Sequence, residues 1–210
     1  MKPSDFILKI INIYQDARVS RYADKKIRRG RSPSISSIAE DLLASYLIYS
    51  DKEIDFIYVD QPIHIPNVVK SFIPDIVVVR NDVITAFLDL KMDLGYKRKG
   101  LIDLCEKDHK LLGLIRGKDC TIKDGQTKEK TSFAISESAI YDIVVVSDQN
   151  IGKATLKEQL SGAKTYNQDV SIHILTEKEH PNTYGVSPEE LMDKLDIKNV
   201  AFDNMLTRIK

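Results

Sequence analysis

Cysteine is scarce in this 210-residue chain: Cys105 and Cys120 are the only two. They form neither a disulfide framework nor a metal-ligand spacing, which excludes a small disulfide-stapled fold and points to a reducing, intracellular home. No apolar run approaches the roughly 20 residues needed to cross a bilayer, so no membrane partner is expected. The opening "MKPSDFILKIINIYQDAR" lacks the apolar block and small-residue cleavage site of a secretory signal. A Gly-rich phosphate loop is missing too, which weighs against a nucleotide cofactor. There is no internal repeat, low-complexity tract or clear linker, so one domain over 1–210 is expected.

Net charge is also lacking, at zero, but that average hides a pattern. Residues 1–31 carry nine Lys/Arg against three Asp/Glu, and 32–90 carry three against nine. Residues 91–130 carry eleven against seven, and 131–210 eight against twelve. Basic and acidic segments alternate, which suits a protein that meets an anionic polymer along part of its surface.

Hydrophobic periodicity predicts a helix over 4–29, ending in the basic run "RYADKKIRRGR", and a second helix at about 35–49. "IDFIYVDQPIHI" reads as a strand, and 72–80 with 83–92 as a hairpin turning at Asn81–Asp82. A helix follows, with an apolar stripe from Leu101 to Ile115. Residues 116–130 read as a loop or a small protruding hairpin. "IYDIVVVS" is a strand buried on both faces, a helix near 153–164 leads to the strand "VSIHILTE", and "SPEELMDKL" begins a helix with Ser187 as N-cap. Mixed pairing with helices on both faces gives a three-layer α/β domain. Within it, 1–31 is a basic helical segment, 35–147 the core and 148–210 a C-terminal α/β extension.

The hairpin "SFIPDIVVVRNDVITAFLDLKMD" carries Asp75, Asp89 and Lys91 in strands otherwise rich in apolar residues. Unpaired charges there are costly to desolvate. Asp89 and Lys91 share a face. A two-residue turn at Asn81–Asp82 alone would pair Asp75 with Leu88 and send Asp89 to the other face. An odd-length turn or one bulge sets Asp75 across from Asp89, with Cβ atoms roughly 4.5–5.5 Å apart. Two carboxylates at that distance repel, and a divalent cation is the simplest way to keep both ionised. The odd turn or bulge is therefore expected. The plainer reading is an ion pair without function, which leaves Asp75 as a surplus charge.

Pro74–Asp75, thirteen residues, then Asp89–Leu90–Lys91 resembles the PD-(D/E)XK nuclease signature, and residues 35–147 follow that superfamily's order of helix, three strands, helix, strand. The resemblance implies a restriction-endonuclease-like core with a central mixed sheet flanked by helices. It implies Asp75 and Asp89 as metal ligands, the Leu90 carbonyl as a further oxygen donor, and Lys91 as the residue that orients the attacking water. From the preceding helix it implies Glu40 as an added acidic ligand. Ser37-Ile38-Ala39-Glu40 also matches a capping box, which would instead fold Glu40 back onto the helix start. The implied cofactor is Mg²⁺, with Mn²⁺ as substitute, and the implied activity is cleavage of double-stranded DNA by a restriction-endonuclease-like enzyme. A Holliday-junction or repair nuclease, or a catalytically silent nucleic-acid-binding protein of the same fold, are the alternatives. Enzymes of this kind often cut as homodimers.

Arg28, Arg29 and Arg31 are the expected main contacts to the DNA backbone, and Lys97, Arg98 and Lys99 the further candidates beside the next helix start. Asp93 continues the face of Asp89 and Lys91 but stands where the strand should end, as a solvated charge. The four histidines show no spacing for a zinc site.

Overall fold

The computed structural model describes residues 1–18, 33–95 and 100–210, with the main chain alone at 69–71. Helices α1 (Pro3–Arg18) and α2 (Ser36–Ser50) precede strands β1 (Phe56–Val59), β2 (Ile63–Ile65), β3 (Val69–Phe72), β4 (Ile76–Arg80) and β5 (Val83–Lys91). Helix α3 (Leu101–Ile115) leads to β6 (Asp119–Lys123) and β7 (Lys130–Ser147), and α4 (Lys153–Ala163) leads to β8 (Val170–Glu177). The chain then forms α5 (Pro188–Lys194), the short β9 (Asp196–Ile197) and α6 (Asn199–Arg208). Among the described residues no helix is long and apolar enough to cross a membrane.

All the described strands join one mixed sheet. Its order runs β1-β4-β5-β7 and then divides: β7 pairs with β6, which leads to β2 and β3, and also with β8, which leads to β9. The β1, β4 and β5 neighbours are antiparallel, whereas β5, β7 and β8 run parallel. The 18-residue β7 serves both branches because it bends. Ile84 pairs with Ile135 but Ala86 pairs with Ile140, so residues 136–139 stand against Thr85 alone. Extra residues of this kind raise local twist and curl a sheet.

Helices cover both faces. One apolar cluster joins α1, α2, α5 and α6 to Ile76, Val78, Ala86, Leu88 and Leu90; the other joins α3 and α4 to Val77, Val79, Ile84 and Phe87. The alternation along β4 and β5 divides these residues between the two layers. Phe6, Tyr46 and Phe202 meet edge-on with centroids 5.3–5.8 Å apart, which locks α6 against α1 and α2. The stretch 148–210 thus supplies both a strand of the central sheet and part of its core. Gly162 lets α4 lie close on α3, because a Cβ there would collide with Ile102 Cδ1. At the hairpin turn, buried Arg80 pairs with buried Asp51 and donates from Nε to the Ile209 carbonyl at 3.0 Å.

The expected strand over 54–65 is divided into β1 and β2 by a left-handed turn at Asp60, whose φ is 50°. Residues 116–130 contain the β6–β7 hairpin connection, and β7 starts ten residues earlier than the apolar run suggests.

Candidate active site

The β4–β5 hairpin turns on two residues, Asn81 (φ 48°) and Asp82 (φ 60°), with Arg80 opposite Val83. Both central residues lie in the left-handed region that matches the twist of the flanking strands. Alone, this turn would put Asp75 and Asp89 on opposite faces. A bulge intervenes: Val79 pairs with Ile84 and Val78 with Ala86, which leaves Thr85 unmatched. From there Ile76 faces Leu88, and continuing that ladder by one residue sets Asp75 across from Asp89. The three charged side chains therefore converge on the α3 side of the sheet.

Lys91 Nζ lies 3.3 Å from Asp75 Oδ2 and 3.1 Å from Asp89 Oδ2. The Leu90 amide donates to Asp75 Oδ2 at 2.7 Å, so both Asp75 contacts fall on one oxygen. In an extended strand a residue's N–H and C=O share an edge, so the Leu90 carbonyl faces Asp75 as well. The Lys91, Asp75 and Asp89 side chains are 28, 24 and 16 % exposed, a half-buried cluster that reaches solvent. Burial and then the facing Asp89 carboxylate push the Asp75 pKa up, against the pull of Lys91 and the Leu90 amide. Burial works against the charge on Lys91, but Asp89 and Asp75 together outweigh it and hold the ammonium above its ordinary value.

Glu40 does not act as a helix cap. Helix α2 starts after Ile35, and no side chain caps it. The Glu40 carboxyl is pushed up to about 7, first by burial and then by the Asp75 and Asp60 carboxylates, with Lys91 pulling the other way. Its ionisation therefore responds to the groups on β4 and β5. Asp60 follows β1, and its amide donates to the Asp75 carbonyl at 3.0 Å.

Sequence reasoning missed two members of this neighbourhood. One is Asp60, hidden inside a stretch read as continuous strand. The other is Tyr141 on β7, a buried residue whose hydroxyl donates to Asp89 Oδ1 at 2.8 Å. Tyr141 stacks on Phe87 at 5.9 Å, and burial followed by the Asp89 charge raises its pKa. A tyrosine inside a strand read as buried on both faces was the available signal, since a buried phenol needs a partner.

Asp93 is more than a solvated charge. Its Oδ1 accepts from the Gly95 amide at 2.7 Å, and its Oδ2 accepts from Asn150 Nδ2 at 2.9 Å and His180 Nε2 at 3.2 Å. The Asn182 amide donates to His180 Nδ1, which leaves the proton on Nε2. These contacts, His180 foremost, hold Asp93 down to about 2 and tie the end of β5 to the loops after β7 and β8. Arg28, Arg29 and Arg31 lie outside the described residues, as do Lys97, Arg98 and Lys99. At the start of α3, the Leu101 and Ile102 amides donate to Gln159 Oε1 at 3.1 and 3.3 Å. Two of the amides that could have met a phosphate there are thus already occupied.

The groups shown around Lys91 are the carboxylate oxygens of Asp75 and Asp89. Among the described residues no three His, Cys, Asp or Glu side chains are grouped to hold a metal by themselves. A hard cation such as Mg²⁺ asks for less, since one or two carboxylates plus water and substrate phosphate suffice. Comparison of the chain with protein-family models, with curated proteins and with solved structures returns no match.

Proposed function

We propose that the protein is a metal-dependent endodeoxyribonuclease of the PD-(D/E)XK kind, restriction-endonuclease-like in its core, that hydrolyses DNA phosphodiester bonds. The observation that carries the reading is the bulge at Thr85, which brings Asp75 and Asp89 opposite each other with Lys91 across both. A sheet built only for stability has no need of two facing carboxylates in a half-buried position. Asp75 and Asp89 would hold Mg²⁺, with the Leu90 carbonyl and Glu40 as further donors. When bound, the metal lowers the pKa of its water and polarises the phosphoryl oxygen.

The chain's own residues do the rest. Tyr141 fixes Asp89 through Oδ1 and so aims Oδ2 at the site. Lys91 stays protonated and donates from Nζ to the attacking water or to a non-bridging phosphate oxygen, offsetting charge that grows in the transition state. Glu40, held at about 7, would release its proton to solvent if it served as a metal ligand. Cleavage of supercoiled plasmid in Mg²⁺, Mn²⁺ or EDTA tests the reading. Nicked or linear product that disappears with EDTA supports it, and intact plasmid under all conditions refutes it.

One rival draws on the same geometry. Lys91 already offsets part of the charge of the aspartate pair, as it would in a nucleic-acid-binding protein that keeps the fold without catalysis. Such a protein would bind DNA and leave it uncut.

A further inference from the structure

A second feature lies at the end of the sheet where Lys91 sits. A cleft of about 700 Å³ opens beyond the carboxyl ends of β7 and β8, between Asp148–Gln149, Glu177–Lys178 and helix α4. Lys153, Lys157 and Ser161 line it from α4, Lys164 from the 3-10 turn that directly follows, and all four are exposed. The lysines' spacing of four and then seven residues keeps them on one helical face, in a row roughly 16 Å long.

The charges of the cleft are unequally used. Asp148 Oδ1 accepts from Gln149 Nε2 at 2.6 Å, and Glu177 pairs with Lys198 at 2.8 Å. Among the described residues Lys153, Lys157 and Lys164 make no ion pair, and the first turn of α4 holds no acid to balance Lys153. The row is therefore cationic and makes no ion pair, while the Asp148 carboxylate, hydrogen-bonded to the neutral Gln149 amide, also lines the cleft.

Its position relates it to the candidate active site. Lys91 is opposite Val145 on β7, and Asp148 at the cleft mouth is three residues further on, roughly 10 Å along the strand. Asp93 bridges the two regions through Asn150. Helix α4 packs on the same side of the sheet to which Asp89 and Lys91 point. We propose that this cleft binds the sugar–phosphate backbone of the DNA that is cut at Lys91, with Lys153, Lys157 and Lys164 as phosphate contacts. The inference rests on the nuclease reading and adds to it a surface that holds the backbone away from the cut.

The test measures binding of a 30-base-pair duplex in EDTA across a salt series, and Mg²⁺-dependent cleavage at subsaturating DNA. The variant is K153Q/K157Q/K164Q, and the control K9Q/K52Q/K194Q removes the same charge elsewhere; thermal melting checks that both fold. Relative to the control, the cleft variant is expected to bind about tenfold or more weakly, and its slope of log affinity on log salt should fall by about 3. Its cleavage at subsaturating DNA should fall in step with its affinity. Affinity and slope equal to the control overturn the cleft assignment while leaving the nuclease reading intact. Wild-type protein that neither binds nor cuts DNA overturns both.

Discussion

Replacing Lys91 by Met removes the one positive charge shown between two opposed carboxylates. At 3.1 and 3.3 Å, and with an effective dielectric of about 20, each attraction is worth about 5 kcal/mol before desolvation. Much of that is offset. The ammonium is no longer held out of water, solvent reaches the site, and Asp75, already raised, can take up a proton. Breaking a fully buried pair costs about 3–5 kcal/mol, so about 2 kcal/mol is expected here at neutral pH. In a chain of this size that lowers Tm by roughly 4–8 °C. The deficit should shrink as pH falls and Asp75 protonates. Mg²⁺ should then stabilise the variant more than wild type, because the vacated carboxylates become its ligands; at a hundred times Kd the gain is about 2.7 kcal/mol. Thermal melts in EDTA and in Mg²⁺ read both effects. A variant that melts with wild type in EDTA, or one that Mg²⁺ fails to stabilise, refutes the reasoning.

Three further substitutions probe the site. Glu40 in the folded protein keeps its proton up to about pH 7 against an ordinary value of 4.5, so its contribution to stability is full below pH 4.5 and is lost as pH rises through 7. E40Q should flatten that part of the stability–pH curve in a urea titration series, and an unchanged slope would count against the assignment. Y141F removes a hydrogen bond to a charged group, worth about 1.5–3 kcal/mol; it should lower kcat at least about tenfold with KM little changed, and a KM effect alone would place Tyr141 outside the chemistry. The Thr85 hydroxyl at the bulge is buried without a hydrogen-bond partner among the described residues, so T85V should stabilise by about 1 kcal/mol in denaturant unfolding; a loss of stability would mean that the hydroxyl is used.

Much of the site was legible because its physics is local. Three charges in otherwise apolar strands can meet on one face only if the hairpin register shifts by one; the chain makes that shift with Thr85 while keeping a two-residue turn. The choice between an odd turn and a bulge was not legible, since Asn81–Asp82 suits a tight turn and nothing in "VITAF" marks the extra residue. Ser187 also acts as expected, accepting from the Glu190 amide at 3.2 Å. The longer-range features stayed hidden. Residues 130–139 are too polar to read as strand, yet 130–134 pair with β6 along an exposed branch of the sheet. Tyr141 and His180 meet Asp89 and Asp93 across 52 and 87 residues, distances over which single-chain periodicity carries no information. Helix α6 went unread because its core contribution rests on Phe202, Met205 and the end residue Ile209 in a largely polar stretch.

The most direct measurement is single-turnover cleavage of a duplex by wild type, K91A and D75N in Mg²⁺, with binding of the same duplex measured in EDTA. The account predicts that all three bind and that only wild type cuts, with both variants slower by at least about a hundredfold. Cleavage by D75N or K91A at the wild-type rate would place the chemistry elsewhere, and binding by all three with no cleavage by any would leave a silent DNA-binding protein.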